Sequence, residues 1–251
     1  MITGIRAALL SAAILFLPAA AVAAEFTDKQ REEIGAIVRD YLLKNPEILL
    51  DVSKELEKRQ KEADDQQHKA AVAENAAEIF HSGTDFVAGN PKGDVTIVEF
   101  FDYNCPWCKK SMPELQQLLR QDTNVRLVLK DFPIFGEESE YAARAALASK
   151  SQGKYWQFHQ ALFANNGKVN KAIVDEIALA QGLDLTKLKA EMDKPEIIAA
   201  VSRNQALAQT LGITGTPGFV MDDRIFPGYM PYRAIAEAVK NIRDAGGCAV
   251  C

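Results

Sequence analysis

The sequence has few cysteines and histidines, no excess of positive charge and very little extended apolar sequence. Its 251 residues include four cysteines and three histidines, and 29 Lys and Arg are set against 34 Asp and Glu, a net charge of −5 at pH 7. Chains that bind nucleic acid usually carry a basic stretch or face. None is visible here, so we expect no nucleic-acid partner. The histidines, His68, His81 and His159, show no metal-ligand spacing, and we expect no bound metal and no cofactor.

One apolar run stands out, and it lies at the N-terminus. Arg6 is the only charged residue among residues 1–24, residues 7–17 are mostly apolar, Pro18 interrupts them and residues 22–24 are small. This order is typical of a secretory signal peptide, and the run is too short to span a bilayer comfortably. The sequence therefore predicts a signal peptide over residues 1–24 and a mature chain that works outside the cytoplasm. An uncleaved membrane anchor is the alternative.

The four cysteines form two C-x-x-C pairs, Cys105/Cys108 and Cys248/Cys251. The first pair lies between an apolar, β-branched run at 95–101, which predicts a buried strand, and a helical stretch at 109–120. Cys105 would therefore lie at a helix N-terminus, where unpaired N–H groups and the helix dipole favour a thiolate. We predict thiol–disulfide exchange, in which Cys105 is the nucleophile and Cys108 resolves the mixed disulfide. A zinc site is the alternative, and it would need both pairs to meet in space.

Residues 25–82 predict a helical segment in front of the main domain. Thr27 is a suitable N-cap, and apolar residues follow it at helical spacing before Pro46. Between Pro46 and Phe80 there is no Gly or Pro, so one long helix is expected, with a polar stretch over 57–69. The apolar stripe has nothing of its own to cover it, which favours a homo-oligomer formed through residues 25–80. The alternative is that this segment folds back on the main domain.

The rest of the chain predicts an α/β domain over residues 83–245 with a helical insertion at about 138–210. Parallel strands separated by a helix indicate the α/β core, and an alanine-rich, strand-poor texture marks the insertion. His159 lies in an aromatic group of that insertion and is expected to be core packing. Predicted strands are 85–87, 95–101, 125–130, 213–221 and 224–226, a closing helix covers 231–244, and a cysteine tail covers 246–251.

Cys105-Pro106-Trp107-Cys108, the helical insertion and the Gly-Thr-Pro-Gly stretch at 215–218 together resemble the DsbA-like branch of the thioredoxin superfamily. The resemblance covers residues 83–244 and implies a thioredoxin fold with an inserted helical domain. It also implies that Pro217 is cis and lies against the cysteines, and that the Thr216 backbone pairs with an extended client chain. Pro106 and Trp107 are assigned to the client-binding surface, and this dipeptide tunes the redox potential.

The resemblance further implies two charged residues beneath the active site. Glu99 lies on the central strand six residues before Cys105, and Lys130 ends the neighbouring strand. Glu99 would accept the proton of Cys108 during resolution, because a carboxyl group in an apolar strand has a raised pKa or a partner that steadies its charge. A plain buried ion pair between Glu99 and Lys130 is the alternative.

The N-terminal part narrows the resemblance to the ScsC-type proteins, on the residues Phe26-Thr27-Asp28 and the stretch 41–47. That family is periplasmic and associated with copper tolerance, and some members are oligomeric disulfide isomerases. The resemblance implies a periplasmic isomerase or reductase that acts on disulfides of secreted proteins and is recharged by a membrane redox partner. A dithiol oxidase and a copper- or zinc-binding thiol protein are the alternatives. Cys248/Cys251 are accessory: a terminal disulfide, a second redox pair or a metal-binding pair.

Overall fold

The computed structural model describes residues 26–251, and the predicted signal peptide lies outside the described residues. The chain divides into two compact units, residues 1–58 and 59–251. Within the described range, no helix is both long enough and apolar enough to cross a membrane. In chain order the elements are α1 (Asp28–Lys44), α2 (Glu47–Glu74), α3 (Ala76–His81), β1 (Phe86–Gly89), β2 (Val95–Phe101), α4 (Pro106–Gln121), β3 (Val125–Asp131), α5 (Glu137–Ala148), α6 (Tyr155–Ala164), α7 (Lys171–Ala180), α8 (Leu185–Met192), α9 (Pro195–Thr210), β4 (Gly218–Met221), β5 (Arg224–Pro227) and α10 (Tyr232–Asp244).

The first unit is helical, as the sequence predicts. Thr27 begins α1 with a capping box, in which its hydroxyl accepts from the backbone of Gln30 while the Gln30 side chain accepts from the backbone of Thr27. No residue of α1 is buried. The apolar side chains of α1 and of the first half of α2 are exposed to solvent: Ile34, Ile37, Val38, Tyr41, Leu43, Leu49, Leu50, Val52 and Leu56. We call these nine residues the apolar stripe.

The long helix expected to reach Phe80 ends earlier, at Glu74, and that expectation is wrong. Asn75 interrupts it: its backbone N–H and its side-chain amide both donate to the carbonyl of Ala71, the side chain at 2.8 Å. An asparagine side chain that takes a helix carbonyl competes with the next turn. After the break, Ile79 and Phe80 are fully buried in the second unit. The compact units divide between residues 58 and 59, whereas the predicted N-terminal segment extends to residue 82.

A five-stranded sheet in the order β1-β3-β2-β4-β5 forms the centre of the second unit. β2 and β3 are parallel, and the other neighbours are antiparallel. The register places Glu99 beside Leu129 and Phe100 beside Lys130. Because side chains alternate along a strand, these two neighbouring pairs face opposite sides of the sheet. One face packs on α4, α10 and the insertion, and the other packs on α3 and on the end of α9.

The helical insertion comprises α5 to α9 and runs from residue 137 to residue 210, close to the expected range. Its apolar side chains join the same core cluster as β2 and α4, which holds the insertion against the cysteine-bearing face. The last predicted long strand is shorter than expected, because β4 begins only at Gly218, after the loop that contains Pro217. Beyond α10, Gly246 and Gly247 adopt positive φ values of 102° and 104°. This turn directs the tail back to the β4–β5 hairpin, where Val250 and Cys251 pack against the second core cluster.

Candidate active site

Cys105 is the N-cap residue of α4, and Pro106 occupies the first helical turn. The backbone N–H of Cys108 points at Cys105 Sγ from 3.4 Å, and Sγ lies 3.1 Å from the carbonyl oxygen of Thr216, which accepts a hydrogen bond from Cys105 only while the thiol is protonated. The Cys108 thiol, with the backbone N–H groups of Cys108 and Trp107, lowers the pKa of Cys105 to about 6, although burial opposes the shift. At neutral pH Cys105 is therefore largely a thiolate, the form that attacks disulfides.

Cys108 is the opposite case. It is fully buried one turn into α4. Burial raises the pKa of the Cys108 thiol far above its ordinary value, and the charges of Glu99 and Cys105 raise it further. Cys108 thus stays protonated while Cys105 is ionised. The pair is chemically asymmetric in the way that a nucleophile and a resolving thiol require.

Glu99 faces the cysteines from β2, on the same side of the sheet as α4. Its side chain is 1% exposed. Burial raises the pKa of Glu99 to about 8, and the nearby Cys105 charge adds to the rise. The buried hydroxyl of Ser111 on α4 partly opposes this rise in the pKa of Glu99, although neither it nor Glu99 Oε1 makes a hydrogen bond of good geometry among the described residues. A carboxyl group with a pKa near 8 can accept or release a proton close to neutral pH.

Lys130 does not lie beside Glu99, contrary to the expectation that both lie beneath the active site. In β3, Lys130 follows Leu129, which is paired with Glu99, so its side chain lies on the opposite face of the sheet. There its ammonium group pairs with the carboxylate of Asp85 and donates to the carbonyl of Glu78 at 2.8 Å. Lys130 and Asp85 are both buried. The ion pair considered as an alternative exists, but its acid is Asp85.

The Thr216–Pro217 peptide bond is cis, as expected from the resemblance. Pro217 is buried and Thr216 is half-buried. The Thr216 carbonyl faces Cys105 across 3.1 Å, so the structure brings Thr216, Pro217 and the nucleophilic sulfur together. The Thr216 hydroxyl is buried and has no hydrogen-bond partner in the described part of the chain.

Asp102 and Asn104 fix the loop between β2 and Cys105, and the sequence analysis did not predict a role for either residue. One oxygen of Asp102 accepts from the backbone of Asn104 at 2.7 Å and from the hydroxyl of Ser139 at 2.8 Å. Its other oxygen accepts from the backbone N–H groups that follow β3, those of Ile134 and Phe135. Asp at position i of a short turn after a strand is a common sequence signal for this role.

Asn104 ties the same loop to the helical insertion. Its amide donates to the Ser139 hydroxyl and to the Val169 carbonyl, and its oxygen accepts from the Val169 N–H at 2.8 Å. All three bonds join residues more than 30 positions apart in the chain. The insertion therefore holds the loop that delivers Cys105.

His159 is core packing, as predicted. It is fully buried, stacks on Tyr155 and Trp156, and its Nδ1 lies 2.8 Å from the hydroxyl of Tyr103 in the active-site loop. Burial lowers the pKa of His159 to about 3, so the ring is neutral at neutral pH. A neutral, enclosed imidazole is not suited to act as a general base for the cysteines.

The surface around the cysteines carries an aromatic pair, Trp107 and Tyr229, and a cavity. Trp107 is 55% exposed and packs against Tyr229, with ring centres 5.7 Å apart, and the Lys110 ammonium lies over both rings. On the other side of Pro106 is a cavity of about 550 Å³. Its lining residues come from the cysteine loop, α4 and the insertion: Asn104, Pro106, Lys109, Phe135, Asn166, Gly167 and Lys168.

The second cysteine pair forms a disulfide, Cys248–Cys251, at the other end of the sheet. Cys248 lies beside Asp222 in the β4–β5 turn, whereas Cys105 lies beside Thr216 before β4 begins. Strand β4 separates these points by roughly 13 Å at 3.3 Å per residue. The pairs do not meet, so the zinc site that would need all four cysteines is excluded.

Comparisons with known proteins agree with this geometry. Residues 96–240 match the family described as "DSBA-like thioredoxin domain", and residues 30–63 match "Copper resistance protein ScsC N-terminal domain". A thioredoxin-like oxidoreductase from Silicibacter pomeroyi DSS-3 is 48% identical, with a TM-score of 0.66 over 67% of this chain and 97% of that one. Proteus mirabilis ScsC in a transitional conformation is 29% identical, with a TM-score of 0.65 over 86% of this chain and 98% of that one.

Curated relatives match the same domain. Disulfide bond formation protein D of Bacillus subtilis is 27% identical over 167 residues, which are 62% of this chain and 75% of that protein. A Na(+)/H(+) antiporter NhaA of Salinispora arenicola is 29% identical over 159 residues, 62% of this chain. This chain spans about a quarter of the length of that antiporter, 24%.

Proposed function

The chain belongs to the DsbA-like thioredoxin family, and we propose that it is a thiol:disulfide oxidoreductase of the DsbA/ScsC type. On that premise we propose that it is a periplasmic disulfide isomerase or reductase that works as a homo-oligomer on disulfide-containing secreted proteins. The observation that carries the proposal is the combination of a reactive Cys105 thiolate with an uncovered apolar stripe upstream.

The Cys105 thiolate begins the reaction by attacking one sulfur of a client disulfide. A Cys105–client bond forms and the client's second sulfur leaves as a thiolate. In isomerisation that thiolate attacks another disulfide in the client, and the thiolate released there attacks the client sulfur of the mixed disulfide. A new client disulfide forms and Cys105 leaves as a thiolate. In reduction, Glu99 in its carboxylate form, on the same face of the sheet, takes the proton of Cys108. Cys108 then attacks Cys105 Sγ, the Cys105–Cys108 disulfide forms and the client sulfur leaves as a thiolate. The Thr216 backbone, next to Cys105 Sγ, supports the client strand during these steps.

The direction depends on which form of the pair is kept at rest. An isomerase must rest as the dithiol, so a membrane reductase would supply electrons, whereas an oxidase would need a partner that removes them. A pKa of about 6 for Cys105 makes the reduced form a ready nucleophile and also makes the disulfide form a stronger oxidant, so it is compatible with both directions. Several copies held together would keep a misfolded client near more than one pair, which favours isomerisation.

The apolar stripe supports the homo-oligomer. Tyr41, Leu49 and Leu56 are each more than half exposed. Many exposed apolar side chains in one helical segment usually mark an interface, and the match of residues 30–63 to the ScsC N-terminal domain concerns the same segment. The periplasmic location rests on the signal peptide predicted over residues 1–24.

The test compares two activities of the mature chain, residues 25–251. Reactivation of a scrambled disulfide protein in a glutathione-free buffer measures isomerisation, and oxidation of the same protein from its reduced form measures oxidase activity. We expect faster reactivation of the scrambled protein, and Cys105→Ser should abolish it. If the chain oxidises reduced client efficiently and leaves scrambled client unrepaired, it is a dithiol oxidase instead.

A further inference from the structure

The Cys248–Cys251 pair lies against an acidic side chain in a way that the exchange reaction at Cys105 does not use. In the described part of the chain, one group of three His, Cys, Asp or Glu residues has donor atoms close enough to hold a metal ion: Asp222, Cys248 and Cys251. These atoms all lie within 4.8 Å of one another, and all three residues are half-buried, so solvent ions can reach them.

Backbone N–H groups already point at these donor atoms. The N–H of Cys251 donates to Cys248 Sγ at 3.1 Å, and the N–H of Ala249 donates to Asp222 Oδ1 at 2.7 Å. These bonds join the loop between the cysteines to the β4–β5 turn and keep the three side chains close together.

The segments that carry these side chains also make contacts other than the disulfide bond. Asp222 lies in the two-residue β4–β5 turn with φ of 52°, a conformation that aspartate tolerates. Val250 and Cys251 pack against the second core cluster. The neighbouring acid, Asp223, forms an ion pair with Lys69 at 2.9 Å, whereas no described ion pair involves Asp222.

Reduction would place two thiols beside the Asp222 carboxyl group, and ionisation of both thiols would put three negative charges within this small space. Two thiolates beside a carboxylate repel one another unless protons or a cation neutralise them. Two thiolates with one carboxylate are a donor set typical of Zn²⁺, which takes sulfur and oxygen ligands and leaves a fourth position for water. We propose that Asp222, Cys248 and Cys251 form a zinc-class cation site that opens only when the Cys248–Cys251 disulfide is reduced.

The chemistry balances with a dithiol as the reductant. Its first thiolate attacks one sulfur of the tail disulfide, the S–S bond breaks and the other sulfur leaves. The second thiol of the reductant then completes the exchange, so the reductant becomes a disulfide and the tail gains two electrons and two protons. Binding of Zn²⁺ releases those two protons as the thiols ionise. Reoxidation of the tail would expel the ion.

The site is separate from the catalytic pair, so its test can be separated from that of the proposed function. Zinc binding is measured on the full mature chain carrying Cys105→Ser and Cys108→Ser, with the tail either oxidised or reduced by a phosphine. Bound zinc is determined after gel filtration by competition with a chromophoric chelator. We expect one zinc per reduced chain and none per oxidised chain. Cobalt(II) in place of zinc should give sulfur-to-metal charge-transfer absorption.

Two further variants in the same background give the matched controls. Cys248→Ser/Cys251→Ser should remove binding. Asp222→Asn should weaken it by about tenfold or more, in the range that loss of a supporting metal contact costs, whereas Asp223→Asn should leave it unchanged. Failure of the reduced chain to retain zinc, equal binding after the double serine change, or equal effects of the two asparagine variants would each overturn the proposal.

Discussion

Cys105 Sγ faces the carbonyl oxygen of Thr216 at 3.1 Å, across the groove between the start of α4 and the loop before β4. The sulfur that reacts and the backbone proposed to hold the client are therefore neighbours. An extended client that pairs with this loop brings its own cysteine to Cys105 without further movement of either element. Such positioning makes the attack of Cys105 on the client disulfide effectively unimolecular, which lowers its barrier.

The first prediction concerns the pH dependence of Cys105. Since its pKa is lowered to about 6, the rate of alkylation by iodoacetamide should rise from pH 4 and level off above pH 7. The midpoint should lie near 6, well below that of an ordinary cysteine, roughly 8.5. The measurement is the alkylation rate of the reduced Cys248→Ser/Cys251→Ser chain, analysed by mass spectrometry of the Cys105 peptide. A midpoint above 8 would contradict it.

The same shift should make the reduced protein more stable at neutral and alkaline pH. The folded chain binds its Cys105 proton less tightly than the unfolded chain does, so the thiolate contributes stability that is fully present above about pH 8.5 and lost as pH falls through about 6. Cys105→Ser should remove this dependence. The free energy of unfolding by urea, measured at pH 5 and pH 8 for the reduced protein and the variant, tests the sign.

Glu99→Gln should slow resolution more than it changes binding of the client. Loss of a positioned proton acceptor typically costs about a hundredfold or more in rate. Mixed disulfide between Cys105 and a model peptide should therefore accumulate and decay slowly, as followed by quenched-flow and gel analysis. Unchanged decay would count against Glu99 as the acceptor.

Glu99 also affects the free energy of unfolding, and its contribution changes with pH in the direction opposite to that of Cys105. The buried carboxyl group has a pKa raised to about 8, so the folded chain holds a proton that the unfolded chain loses at lower pH. Its presence costs stability progressively as pH rises from about 4.3 toward 8. The glutamine variant should melt at a higher temperature than the parent at pH 8 and at nearly the same temperature at pH 4.

Lys130 should matter for folding and not for exchange. Its ammonium group and the carboxylate of Asp85 are both buried, and removal of one partner leaves a buried charge unpaired. Lys130→Met should cost about 3–5 kcal/mol of unfolding free energy, and Lys130→Met with Asp85→Asn should recover part of it. The alkylation midpoint of Cys105 should stay near that of the parent. A change in the pH midpoint of Cys105 alkylation would show that Lys130 does act on the active site.

Asp102→Asn should loosen the cysteine loop. The carboxylate accepts four hydrogen bonds: one from the backbone of Asn104, one from the hydroxyl of Ser139 and two from the backbone N–H groups after β3. An amide can accept at only one of those positions, so about 2–3 kcal/mol of stability should be lost. Ser139→Ala, which removes one donor, should cost roughly 1 kcal/mol. Urea unfolding measures both, and equal losses would contradict this account.

Charges placed in the apolar stripe should dissociate the oligomer. Leu49→Glu together with Leu56→Glu would put carboxylates on the exposed apolar face of α2, whereas Glu57→Gln nearby serves as the control. Sedimentation equilibrium should give an oligomer for the parent and control chains and a monomer for the double variant. A monomeric parent chain would remove the main support for the oligomer.

Most elements were predictable from the sequence because their signals are local. The run at 95–101 and the turn that contains Pro217 carry strong local patterns, and the Cys105 helix has a proline where it begins. The face on which Lys130 lies was not predictable, because a shift of one position in the β2–β3 register exchanges the two faces. The end of α2 before Asn75 was also not predictable, because helices tolerate asparagine and only the side-chain bond of Asn75 to Ala71 shows that the helix ends there.

The loop that carries Cys105 shares its hydrogen bonds with the helical insertion through Asn104, Ser139 and Val169. The insertion is thus not a detachable accessory of a self-sufficient thioredoxin sheet. A transfer of Cys-Pro-Trp-Cys to another sheet would include the two thiols but not the hydrogen-bonding groups of the insertion that position the loop. For an engineer, the smallest transferable catalytic module is the sheet, the loop and the insertion together.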